Sequence, residues 1–136
     1  MILMNTKTRY SIMIVAIILF ACVLLVINMN NTEKVNIIDI LNSPKKYEGK
    51  EVVVNGKYFG WKIPQNLTGP SDYSPPETRS DWIVADNTGW IYVVARGASI
   101  PINISYGQEI SVYAVVKIKD KNGTVVPYLY PKEIQV

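Results

Sequence analysis

Few of the side chains that carry out chemistry in proteins occur in this 136-residue chain. There is no histidine, and the one cysteine, Cys22, sits inside an apolar run. A serine nucleophile needs a neighbouring base, and zinc sites draw on His and Cys ligands. Beyond the apolar run there is therefore no imidazole, no thiol and no disulfide. Carboxylates remain, and Asp81 and Asp86 bracket one extended segment. Five residues of strand separate their α-carbons by roughly 16 Å, too far to share a proton or a metal. Asp86 is expected to stabilise a turn and Asp81 to solvate a strand start. Neither catalysis nor a cofactor is expected.

Aromatic surface is the more suggestive resource. Trp90 and Tyr92 stand two apart, so an extended strand places them on one face. Trp61 opens a long loop, Tyr73 lies within it, and Arg79 leads back out. Aromatic rings can stack on bases or sugars. Trp90, Tyr92, Trp61, Arg79 and Tyr73 thus form the candidate ligand-binding set. Packing is the competing expectation. The loop from Lys62 to Ser80 carries Pro64, Pro70, Pro75 and Pro76, which stiffen it. Folded back, it would cover Trp90 and Tyr92 as a satellite core, because aromatic side chains bury large areas.

The apolar run sets where these residues can act. Tyr10 to Thr32 is uncharged, and Ile12 to Ile27 is wholly apolar. About twenty helical residues cross a hydrocarbon core of roughly 30 Å. Residues 10–29 are expected to be a retained transmembrane helix, behind a cytoplasmic tail at 1–9. Lys7 and Arg9 precede the helix and only Lys34 follows closely. The positive-inside rule then puts the rest of the chain on the outer side of a cell membrane, extracellular or periplasmic. Two other fates fit the same run: lipidation at Cys22, after Leu19-Phe20-Ala21, or cleavage as a signal peptide. N-x-S/T sequons at Asn30, Asn66, Asn103 and Asn122 suit glycosylation of an exported domain, or are accidental matches in an Asn-rich sequence.

Charge narrows the partners. Once Lys7 and Arg9 are set aside, 12 basic residues face 11 acidic ones. Binding a nucleic-acid backbone leans on clustered Lys and Arg, so nucleic acid is not the favoured partner.

Past a polar linker at 30–35, alternation predicts an all-β domain over 36–136. Asn36 caps a brief helix that ends before Ser43-Pro44, and Lys45-Lys46 reads as a solvated turn. Strands are expected at Glu51–Phe59, Trp82–Ala85, Ile91–Ala95, Ile110–Ile118 and Val125–Val136. Asp86-Asn87-Thr88-Gly89 makes a hairpin, with glycine where a positive φ is needed. Pro127 and Pro131 argue for an edge or interrupted last strand. Five strands with a long excursion after the first match a small Greek-key barrel.

The pattern Ile37-x-Asp39-Ile40-Leu41, Tyr47-x-Gly49-Lys50-x-Val52-x-Val54-x-Gly56, Asp86-x-Thr88-Gly89-x-Ile91-x-Val93 and Gly107-Gln108-x-Ile110-x-Val112 resembles the OB-fold of the tRNA-anticodon-binding-like type. The resemblance implies a barrel whose first strand bends at Gly56 to serve both halves. It does not fix a function. Gly97 to Gly107 departs from the fuller pattern, being too short and broken for a helix, so a loop is expected to close that end. An anchor before an OB barrel is also similar to the periplasmic haem chaperones of cytochrome c maturation. Those proteins attach haem through a histidine or cysteine near the barrel's end. The matching stretch, Pro127-Tyr128-Leu129-Tyr130-Pro131, has neither, so no haem is expected.

The expectation is a non-catalytic, membrane-tethered binding or assembly module. Its partner would be a protein or an extracellular polymer, met by the proline-rich loop and the strand-two and strand-three face. Single-stranded oligonucleotide binding is the alternative.

Overall fold

The computed structural model describes residues 5–29 and 32–136. The chain divides into two compact units, one ending at Thr32 and the other running from Glu33 to Val136. In the first, α1 (Thr6–Met29) is one continuous helix of 24 residues, about 36 Å long at 1.5 Å per residue. Apolar side chains stand exposed right around it, with Ile14, Leu19 and Phe20 all more than half exposed. A helix apolar on every side suits lipid or a deep core, and this one is long and apolar enough to cross a membrane. Cys22 is on its surface. The sequon at Asn30 lies outside the described residues.

The second unit comprises β1 (Glu33–Lys34), α2 (Ile37–Asn42), α3 (Pro44–Tyr47), β2 (Glu51–Gly60), β3 (Trp82–Ala85), β4 (Trp90–Val93), β5 (Glu109–Lys121) and β6 (Thr124–Gln135). The strands are hydrogen-bonded in the order β1-β2-β3-β4-β6-β5, and β5 returns to β2. Five strands thus close into a barrel. The contact of β4 with β6 is parallel, whereas the other barrel pairs are antiparallel. This order is compatible with an OB-like fold. Closure works because β2 changes partner along its length, pairing with β5 from Glu51 to Lys57 and with β3 from Lys57 to Gly60. Gly56 sits beside the changeover, where a Cβ would come within 2.5 Å of the Ala85 carbonyl oxygen. No larger residue fits that approach.

Alternation sorts the side chains as the sequence predicts. Val52 and Val54 of β2, Ile91 and Val93 of β4, and Ile110, Val112, Ala114 and Val116 of β5 meet Val84 and Leu129 inside the barrel. Ile37, Ile40 and Tyr47 from the two short helices join that core. The 97–107 segment forms no helix, and its Ile100 and Ile104 pack against the same core.

Several local expectations are corrected. The Asn36 side chain makes no capping bond. Instead the Ile37 N–H donates to Asp86 Oδ2 at 2.9 Å and the Ile38 N–H donates to Thr88 Oγ1 at 3.1 Å. The β3–β4 turn therefore caps α2 from fifty residues away. Gly89 is absent from the positive-φ positions, and it is glycine for space, since a Cβ would lie 2.7 Å from the Thr68 carbonyl oxygen. Asn122 and Gly123 do take positive φ, 53° and 82°, and turn β5 into β6. Lys45 and Lys46 belong to α3 and stay exposed. Glu33 and Lys34, polar enough to read as linker, pair in parallel with Val52 and Val53. Both are exposed, so only backbone pairing marks the strand. β6 is unbroken along β5 apart from a bulge opposite Ala114, while its ladder to β4 is a single bridge, Val93 to Leu129. Prolines that cannot donate a ladder hydrogen bond are tolerated on that side.

Candidate functional site

The four residues of β3 and the four of β4 are all buried, because each strand is covered on both faces. Val84, Ile91 and Val93 face the barrel interior, while Ile83, Ala85, Trp90, Tyr92, Val94 and Tyr128 form a second core outside it, with Phe59, Leu67 and Tyr130 at its margin. The covering layer is the excursion at 61–81. Gly69 lies directly on the Trp90 indole, where a Cβ would be 2.0 Å from Cε2. The Trp90 backbone N–H donates to the Thr68 carbonyl at 2.9 Å. The Tyr92 hydroxyl donates to the Tyr73 carbonyl at 2.7 Å, and the Tyr73 ring sits 5.8 Å from that of Trp90. Burial holds the Tyr92 hydroxyl's pKa above the ordinary 10.0, and the nearby charges of Asp72 and Asp81 push the same way.

Two carboxylates fasten this layer, one at its middle and one at its end. Asp81 is wholly buried, contrary to its expected role at a solvated strand start. Its oxygens accept from the Glu77 N–H at 2.7 Å, the Thr78 N–H at 2.9 Å, the Thr78 hydroxyl at 2.8 Å and the Ala95 N–H at 3.0 Å. Burial alone would raise its pKa. The hydrogen bonds from Thr78, Ala95 and Glu77 outweigh that and leave it lowered, so the group stays ionised and ties the loop's end to the end of β4. Asp72 meets Lys119 and Lys121 of β5 at 3.0 Å each. The Ser74 N–H and then the two ammonium groups hold its carboxyl far below the usual carboxylate range. Asp86 stabilises its turn as expected, accepting from the Thr88 and Gly89 N–H groups.

The five candidate aromatic and basic residues are not gathered on one open surface. Trp90 and Tyr92 are 1% and 5% exposed, so neither can stack on a ligand while the loop is in place; they are the floor of the outer core. Trp61 and Tyr73 stand 71% and 65% exposed on the loop itself, and Arg79 is exposed near its end. Of the remaining sequons, Asn66, Asn103 and Asn122 are all exposed.

Sequence reasoning missed an open cleft of about 800 Å³ on the outer face of β2. Asn55, Lys57 and Phe59 line it from β2, Glu109 and Ser111 from β5, and Asn87 from the β3–β4 turn. Leu67 of the loop and Gln135, the last residue of β6 and the ladder partner of Ser111, border it. Polar residues alternating with core residues on β2 and β5 look like an ordinary solvated face, and the β3–β4 turn, Leu67 of the loop and the end of β6 turn that face into a concavity. Among the described residues no three His, Cys, Asp or Glu side chains are grouped to hold a metal ion. No protein-family model matches the chain, and no curated protein matches it.

Proposed function

We propose that the chain is a non-catalytic binding or assembly module held by α1 at the outer face of a cell membrane, with a barrel of the tRNA-anticodon-binding-like OB type. The observation that carries this reading is the fixed loop, whose inner side is spent on Trp90, Tyr92 and Asp81 while Trp61 stays exposed and Tyr73, one edge against Trp90, keeps most of its surface open. A rigid aromatic display binds with little loss of conformational freedom, and tethering raises the effective concentration at the membrane. Protein or extracellular polymer is the partner class. Lys7 and Arg9, in the first turn of α1 and ahead of its apolar stretch, favour the outward orientation. Exposed Asn66, Asn103 and Asn122 are compatible with it. Oligonucleotide binding is less well supported, because the β3–β4 face that OB barrels commonly use lies beneath the loop.

Protease accessibility of a C-terminal epitope on the full chain, in intact and in lysed cells, tests the reading. Cleavage in intact cells is the expected result. Protection until lysis would overturn the outward module and return oligonucleotide binding to the lead.

A further inference from the structure

Resting on the binding-module reading, we infer that the cleft over β2 is a saccharide-binding site for an uncharged stretch of polyhydroxylated polymer. The argument begins with strand geometry. Val54 and Tyr58 pack toward the barrel core, so Asn55, Lys57 and Phe59 occupy the outer face of β2. The register sets Ser111 opposite Asn55 and Glu109 opposite Lys57, and Asn87 closes the side nearest the turn. The volume, about 800 Å³, falls within the range of small-ligand sites.

The side-chain chemistry selects among ligand classes. An extended peptide is commonly captured by adding a strand to a free edge strand, whereas β2 is an interior strand of the barrel, laddered to β5 through Lys57 and to β3 from Lys57 onward. A polyanion needs a surplus of cations, whereas Lys57 is opposed by Glu109 across the ladder. A wholly apolar ligand would bury the amides, the hydroxyl and the charges of Lys57 and Glu109, beside that of Asp86, without offering them partners, which is costly. A neutral saccharide meets none of these objections. Each of its hydroxyls both donates and accepts, and the cleft supplies both capacities through Asn55, Asn87, Ser111, Lys57 and Glu109. Ser111 Oγ donates to Asn55 Oδ1 at 2.7 Å, which orients that amide and leaves its NH2 free to donate. Phe59 adds an apolar aromatic wall for the C–H face of a sugar ring, braced by Tyr106 in an edge contact at 5.1 Å. The site lies off the β3–β4 face and works with the loop closed.

Calorimetric titration of the full chain, in micelles of a detergent without a sugar headgroup, tests the inference. The probes are a β-1,4-linked tetrasaccharide of N-acetylglucosamine and cellotetraose, with a neutral tetrapeptide as control. Saturable binding of at least one sugar is expected, weakened about tenfold in Glu109→Ala and in Asn87→Ala and unchanged in Lys45→Ala, an exposed position on α3. Both altered positions are exposed, so folding is retained, and unchanged circular dichroism checks this. No heat from either sugar at about 10 mM, or binding indifferent to both cleft substitutions, would overturn the site. Such a failure with the barrel protease-accessible outside removes the cleft alone. A barrel protected until lysis removes the module reading as well.

Discussion

The inside of the barrel and the outside of its β3–β4 face are both dry, yet they are built on different principles. The interior is mainly Val, Ile, Leu and Ala, contributed by alternating positions and by the short helices. Its neighbours are set by regular strand pairing, and residues of similar size can replace one another at modest cost. The outer core is dominated by Trp90, Tyr92 and Tyr128, with Phe59 and Tyr130 at its edge, and its roof is a loop with no regular ladder. A roof without a ladder must be held by individual contacts. Gly69 against Trp90, the Tyr92 hydroxyl on the Tyr73 carbonyl, and the Asp81 cluster are those contacts. The contrast teaches that alternation suffices to fill a barrel, whereas covering it from outside demands specific residues at specific points.

The largest expected effect comes from removing the floor of the outer core. Trp90→Ala should destabilise the domain by about 3–5 kcal/mol, read by denaturant unfolding of the full chain in micelles. A loss below about 1 kcal/mol, within the range of ordinary surface substitutions, would mean that the outer layer is an ornament on a self-sufficient barrel. Asp81→Asn comes next, at about 2–3 kcal/mol for hydrogen bonds to a buried charged group. Because the folded Asp81 has its pKa lowered from 3.8, its contribution is complete above that value and fades as pH falls below it. Native and Asp81→Asn stabilities should therefore converge below about pH 4. A constant gap down to acid would show that the carboxylate's charge is not what holds the loop end.

Tyr92→Phe is the smallest of the three, about 1 kcal/mol for one buried hydrogen bond, with faster amide exchange confined to residues 67–75. The tyrosine's pKa is raised above 10.0, so its bond is intact below that value and is lost as pH climbs toward the raised one. The native chain should lose more stability in alkali than Tyr92→Phe, which keeps only the loss due to Tyr128, whose pKa burial also raises. Equal alkaline losses in both would assign the effect elsewhere.

The barrel itself was largely legible in the sequence. The alternation of Val52 and Val54 against Asn55 and Lys57, the run from Ile110 to Ile118, and the clustered turn residues mark strands and their faces without reference to anything distant. Even Gly56 as the bend follows from its place in a strand. The cap on α2 was not legible, because Asn36 has the right side chain and the bonds come from Asp86 and Thr88. Nor was the strand at Glu33–Lys34, whose exposed side chains carry no pattern.

The candidate site divides along the same line. Residue types alone show that this domain has no imidazole or thiol to offer, that its charge is nearly balanced, and that Trp90 and Tyr92 share a face, since period and composition are local properties. Whether that face is open or roofed depended on where a proline-rich excursion returns, and tertiary contacts decided it through the fit of Gly69 on an indole and the closure of Asp81 by four donors. Leu67 of that loop, the β3–β4 turn and the end of β6 together make Asn55, Lys57 and Glu109 one wall of a cleft. Side-chain direction is written in the period of a strand, but concavity arises only when segments far apart in the chain meet.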